Sequence, residues 1–244
     1  VEDLSQLFRA IDLMGVVLNG FLGGAIARRN RFDIVGFGIL AIVSALGGGA
    51  LRDMLLNTLP VALTDPAYLL CALIGAVLAY LIVPQGRVWR GITGLADGMV
   101  LGAWATTGTT KALAAGLDWL PSMLLGLTTA VGGGMIRDVA VGNVPAVFGG
   151  NNLYATPALV ASGGVLIANA LGMPPDWLMV LGVGLGLSIT GASRLWRIRL
   201  PQHDDQDLLR LSPSQLKALV RRAERIGRKQ ARQNTSDEDS QRQH

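Results

Sequence analysis

Charge is scarce in this sequence where a soluble protein would have most of it. Only 16% of the 244 residues are Asp, Glu, Lys or Arg, against about a quarter in a typical soluble domain. Of the 38 charged residues, 16 fall in positions 201–244, which leaves 22 for the first 200. A water-exposed surface is not built from so few, and with half the chain hydrophobic and a mean hydropathy of +0.43, the sequence reads as a polytopic membrane protein with a polar tail. Histidine is almost missing: His203 and His244 both lie in the tail, so no imidazole serves acid–base or metal chemistry in the apolar part. The single cysteine, Cys71, can form no internal disulfide. There is no phosphate-binding loop, no serine nucleophile elbow and no Cys/His metal spacing, so neither an enzyme nor a metal or cofactor site is expected. A basic stripe interleaved with aromatics is also absent. The pI of 9.7 reflects a net charge of only +4, divided about evenly between the apolar part and the tail, so a nucleic-acid partner is not expected. Acidic Glu2 and Asp3 precede the first apolar run, which is not the pattern of a cleavable signal peptide.

What is present is a series of apolar runs of bilayer-spanning length, about 17 to 25 residues. They fall near 9–27, 32–56, 67–83, 91–109, 119–141, 154–172 and 176–196. Lys/Arg placement in the intervening segments orients them. One side receives Arg28, Arg29, Arg31, Arg87, Arg90, Arg194, Arg197 and Arg199; the other receives Arg9 and Lys111. This predicts an N-terminus outside and a C-terminus in the cytoplasm. Trp89, Trp104, Trp119, Trp177 and Trp196 mostly mark span ends, as interfacial anchors do.

Two stretches repeat. GGGALRDMLLNTLP at 47–60 is matched by GGGMIRDVAVGNVP at 132–145, a shift of 85 positions. The same shift places Asp12 on Asp97, Met14 on Met99, Gly23 on Gly108 and Asp33 on Asp118. Each unit holds three spans, and an odd number inverts the second copy relative to the first, as in many transport proteins. The expected organisation is a first repeat over 1–90, an inverted second repeat over 91–175, a seventh transmembrane helix over 176–200 and a polar cytoplasmic tail over 201–244. In the tail, residues 212–233 read as a basic amphipathic helix with Ser212 as N-cap, suited either to a membrane surface or to plain solvation.

The triplets Gly47, Gly48, Gly49 and Gly132, Gly133, Gly134 have two readings. Small residues let transmembrane helices approach; three glycines in a row also cost about 1 kcal/mol each in helix propensity. The second reading is favoured here, with a helix break at each triplet and exposed carbonyls facing a polar path. The scattered glycines of 182–188 read as packing contacts. The intramembrane charges Asp12, Arg52, Asp53, Asp97, Arg137 and Asp138 are costly unless they face the interior and pair, snorkelling of the arginines being the alternative. The expected pairs are Asp12 with Arg52 and Asp97 with Arg137, one cluster per leaflet. Four Asp against two Arg leave a negative excess that favours cations. Asp33 and Asp118 each open a helix and suit its N-terminal dipole. Ser44, the ATTGTTK run at 105–111 and Thr128-Thr129 are candidates for lining the same path, with Lys111 snorkelling at its end.

Doubled GGGxxRD motifs at this spacing, in two three-helix units followed by a seventh helix, resemble the prokaryotic trimeric intracellular cation (TRIC) channels over roughly residues 5–197. The resemblance implies an all-α protein of the prokaryotic inner membrane. It would work as a homotrimer, each subunit with its own potassium-permeable pore, and potassium or sodium would be the permeant species rather than a cofactor. The helices would kink at the glycines. Animal members carry a Lys-Glu-Val-type signature after the second-helix glycines, where this sequence reads Ala50-Leu51-Arg52-Asp53, so their lipid-phosphate binding does not carry over. Bacterial relatives have also been linked to transport of small neutral amino acids such as glycine. That leaves a carrier as the alternative to a passive channel.

Overall fold

The computed structural model describes residues 2–82, 87–148 and 154–196; the tail with its expected amphipathic helix lies outside them. All regular structure among these residues is helical: α1 (Glu2–Arg29), α2 (Ile34–Leu55), a single turn α3 (Val61–Thr64), α4 (Pro66–Leu81), α5 (Arg87–Ala114), α6 (Trp119–Ala140), α7 (Thr156–Ala170) and α8 (Pro175–Leu195), with a 3-10 turn at Ala146–Phe148. Each expected span coincides with one helix other than α3. Four of the described helices, α1, α2, α6 and α8, are long and apolar enough to cross a bilayer. The remaining expected spans fall on α4 and α7, which have 16 and 15 residues, and on α5, which carries Arg87, Arg90, Asp97 and Lys111.

The helix starts follow from local chemistry. Asp33 caps α2 by accepting from Gly36 N at 2.7 Å, and Asp118 caps α6 by accepting from Trp119 N at 2.7 Å. Such carboxylates satisfy amides that the first helical turn leaves free. Left-handed backbone recurs at the same spacing as the motifs: Arg31 (φ 55°) matches Gly116 (φ 84°), and Asn57 (φ 54°) matches Gly142 (φ 73°).

α1, α2 and α4 pack on one another, and so do α5, α6 and α7. α2 and α6 join the two groups, and α8 packs on α5 and α7. The buried faces are built from small residues, among them Ala27, Ala41, Ala72, Ala105, Ala158 and Ala161, which let helices approach closely in the absence of a hydrophobic drive between them. Ile34, Val35, Leu70, Ile74, Leu81, Ile167 and Leu195 point outward and are largely exposed. An outward apolar face over a core of small residues suits lipid as the solvent, and the molecule is an all-α integral membrane protein.

Candidate functional site

Neither glycine triplet breaks its helix. α2 is continuous from Ile34 to Leu55 and α6 from Trp119 to Ala140, which corrects the expected interruptions. The reason lies in the crossing of the two helices. A Cβ on Gly48 would strike the carbonyl oxygen of Thr129, and a Cβ on Gly133 would strike that of Ser44. A Cβ on Gly47 would stand 3.3 Å from the Cα of Gly133, and one on Gly132 would stand 3.1 Å from the Cα of Gly48. The backbones touch, so the contact offsets the poor helix propensity of glycine. The contacts are reciprocal, Ser44 and Thr129 being 85 positions apart, as a two-fold axis between the helices requires. The third glycine of each triplet does something else. Gly49 has only Arg52 Nη2 near it, at 3.8 Å from where a Cβ would stand, and Gly134 has Tyr154 Oη at 3.2 Å. These two make room for the charged groups.

One turn beyond each triplet the Arg-Asp pair closes on itself. Arg52 and Asp53 are 5% and 1% exposed, and Arg52 Nε donates to Asp53 Oδ1 at 2.8 Å. Asp53 Oδ2 accepts from Val61 N at 3.1 Å, which ties α2 to the start of α3. In the second copy Arg137 Nε donates to Asp138 Oδ1 at 2.9 Å, and Asp138 Oδ2 accepts from Ala146 N at 3.3 Å. Arg137 Nη1 also reaches Ser44 Oγ at 3.4 Å, across the crossing. Neighbouring residues therefore form the ion pairs. The expected Asp12–Arg52 and Asp97–Arg137 pairs are not among the ion pairs of the described residues.

Asp12 is held by neutral donors. Tyr68 Oη donates to its Oδ2 at 2.5 Å and Trp104 Nε1 to its Oδ1 at 2.7 Å. Trp104 is thus a buried donor at 8% exposure rather than an interfacial anchor, whereas Trp119, Trp177 and Trp196 are exposed at helix ends. Asp12, Arg52, Asp53, Tyr68, Trp104 and Lys111 line a cavity of about 120 Å³ together with Gly49, Thr107 and Thr129. Lys111 does not simply snorkel away: its ammonium stands 3.6 Å from Asp53 Oδ1, with 41% of the side chain exposed. In the second cluster Asp97 lies within the electrostatic reach of Arg137 and Arg194, and Tyr154 within that of Asp97, Arg137 and Asp138.

The expected negative excess is therefore cancelled. Asp12 and Asp53 face Arg52 and Lys111; Asp97 and Asp138 face Arg137 and Arg194. The hydroxyls of the Thr-rich run mostly bond to their own helix: Thr106 donates to Gly102 O, Thr107 to Ala103 O, Thr110 to Thr106 O and Thr129 to Leu125 O, the usual behaviour of Thr in membrane helices. The sequence reading gives Tyr68 and Tyr154 no role, and takes Trp104 as an anchor, Lys111 as a snorkelling residue and Arg194 as an orienting charge. Two signals pointed to them. Trp104 sits well inside its span, and Tyr68 and Tyr154 recur at a spacing of 86, the segment from Pro145 to Tyr154 being one residue longer than that from Pro60 to Tyr68.

Comparison with known proteins agrees with this duplication. The chain matches the family described as "Glycine transporter" twice, over residues 9–84 and 95–170. It is 36% identical to a UPF0126 membrane protein of Deinococcus radiodurans, over 81% of this chain and 93% of that one. It is 31% identical to the UPF0126 inner membrane protein YadS of Escherichia coli K12, over 78% and 93%. Among solved structures it resembles one reported as the basis for conductance through TRIC cation channels, with a TM-score of 0.74 and 27% identity, covering 81% of this chain and 97% of that chain. The TRIC channel orthologue from Rhodobacter sphaeroides follows at a TM-score of 0.70 and 27% identity, with 79% and 99% covered.

Proposed function

Since this chain belongs to the family of UPF0126 membrane proteins and prokaryotic TRIC channels, we propose that it is a passive cation channel. Potassium is the foremost permeant ion. The observation that carries the reading is the duplicated site: a buried Arg-Asp pair one turn past each glycine crossing, with a further carboxylate, Asp12 or Asp97, near it. The repeats are inverted in the bilayer, with the C-terminus cytoplasmic as the Lys/Arg asymmetry requires, so one cluster serves each leaflet. Each subunit of a homotrimer has its own path between them. The glycine triplets hold α2 and α6 together between the two clusters.

In the cavity of the first cluster, cation stabilisation falls to Asp12 and Asp53. Tyr68 and Trp104 fix the Asp12 carboxylate, and Lys111 occupies ground that a permeant cation would cross. A carrier for a small neutral amino acid such as glycine is the second reading. The family description favours it, and so does a cavity with a carboxylate on one wall and Arg52 and Lys111 on another, which suits a zwitterion. Single-channel recording of the purified protein in a planar bilayer under a potassium chloride gradient separates the two. Discrete openings that reverse near the potassium potential support the channel; a silent bilayer with saturable glycine uptake into liposomes supports the carrier.

A further inference from the structure

α8 belongs to neither repeat, yet it reaches into the second cluster. It meets α5 through bare backbone: a Cβ on Gly186 would strike Gly98 O and one on Gly102 would strike Gly182 O. At that distance the side chains of α8 lie where α5 has none. Thr190 covers Gly98, and the Arg194 guanidinium occupies the place a Cβ on Gly94 would take. Arg194 Nη1 donates to Gly91 O at 3.5 Å. Gly91, Gly94 and Gly98 form one stripe of α5, and Asp97 stands one turn beyond Gly94. The guanidinium is thereby held within electrostatic reach of the Asp97 carboxylate of the second cluster. In the first cluster the balancing charge is instead Lys111, on α5 itself.

We propose that Arg194 is a specificity-determining residue: a positive charge seated on Gly94 that limits cation entry from the mouth at the C-terminal end of α8. The proposal rests on the channel reading. The repeats supply equivalent carboxylates, but among the described residues the second cluster takes its further positive charge, Arg194, from a helix outside the repeats and the first takes Lys111 from α5, so the two directions of current are unequal. A fixed charge at a mouth changes the local cation concentration, and salt screens the effect.

The test is single-channel recording of the wild type, Arg194→Gln, Arg194→Lys and Gly94→Ala in potassium chloride at low and high ionic strength. Arg194→Gln is expected to raise the current entering from that mouth by about twofold or more at low salt, and by less at high salt. Arg194→Lys stays near wild type. Gly94→Ala keeps the charge but displaces the flexible guanidinium, so it shifts rectification in the same direction as Arg194→Gln. A conducting wild type whose rectification Arg194→Gln leaves unchanged overturns this inference alone. A shift with Arg194→Gln but none with Gly94→Ala overturns the seat on Gly94, and with it the proposal as stated. A silent wild type overturns the channel reading and this inference together.

Discussion

The carboxylates of the two clusters are treated differently. Asp12 is held by Tyr68 and Trp104, both neutral donors, while Asp97 stands in the field of two guanidinium groups. The Arg-Asp pairs are nearly superposable in their bonding, down to the backbone amide eight residues on that each Asp accepts from. Duplication has kept the part that holds each helix end together and let the part facing the path diverge. Trp104 lies on α5 and donates to a residue of α1, so the first site is completed by the second repeat. The second site is completed by α8.

The largest effects should come from the part that is the same in both copies. Asp53→Asn and Asp138→Asn each leave a buried guanidinium without its carboxylate, a change that costs about 3–5 kcal/mol. Thermal unfolding in detergent should show a large loss for both and a larger one for Asp53, which also faces Lys111; an inverted order would break the likeness. Next come the triplets. Gly48→Ala and Gly133→Ala push a methyl into a carbonyl and should each destabilise by about 2–3 kcal/mol. Gly49→Ala meets only Arg52 Nη2, at an ordinary contact distance of 3.8 Å, and should be neutral or gain up to about 1 kcal/mol from helix propensity. Equal losses at all three positions of a triplet would refute the division of labour between crossing and cavity.

Smaller again is Tyr68→Phe, which removes one charge-assisted hydrogen bond to Asp12 and should cost about 1.5–2 kcal/mol. Because the phenol holds only Asp12, the same variant should alter conduction at the first mouth and leave rectification due to Arg194 intact. The smallest effect on stability belongs to Lys111→Gln, below about 1 kcal/mol, since the side chain is partly solvated and its contact with Asp53 is long. Its signature should instead be a larger potassium current, read in the same bilayers. No change in current would show that the ammonium does not stand in the way.

Much of this was legible in advance because a bilayer punishes charge and irregular backbone. The helix positions, the caps at Asp33 and Asp118 and the duplicated motif all follow from hydropathy and spacing. The glycines misled for a physical reason. Propensity counts the cost of each glycine within its own helix and omits the neighbouring helix whose carbonyl the missing Cβ admits. The ionic pairing misled likewise: leaflet position brought Asp12 and Arg52 into one cavity, but the i,i+1 partner of each arginine lay closer, which no depth argument resolves. Lys111 and Arg194 sat at span ends, where snorkelling accounts for a basic residue equally well, and only the packing of α5 and α8 separates the two roles.

The bare crossing of α2 and α6 has a mechanical consequence. With no side chains between Gly48 and the Thr129 carbonyl, or between Gly133 and that of Ser44, neither helix can slide along the other without driving backbone into backbone. Rotation about the contact is opposed as well, by the Ile136 and Leu51 side chains that lie against Gly47 and Gly132 and by the Arg137 Nη1–Ser44 Oγ hydrogen bond across the crossing. The crossing is thus a weld between the two repeats, with an Arg-Asp pair about one helical turn from it on each side.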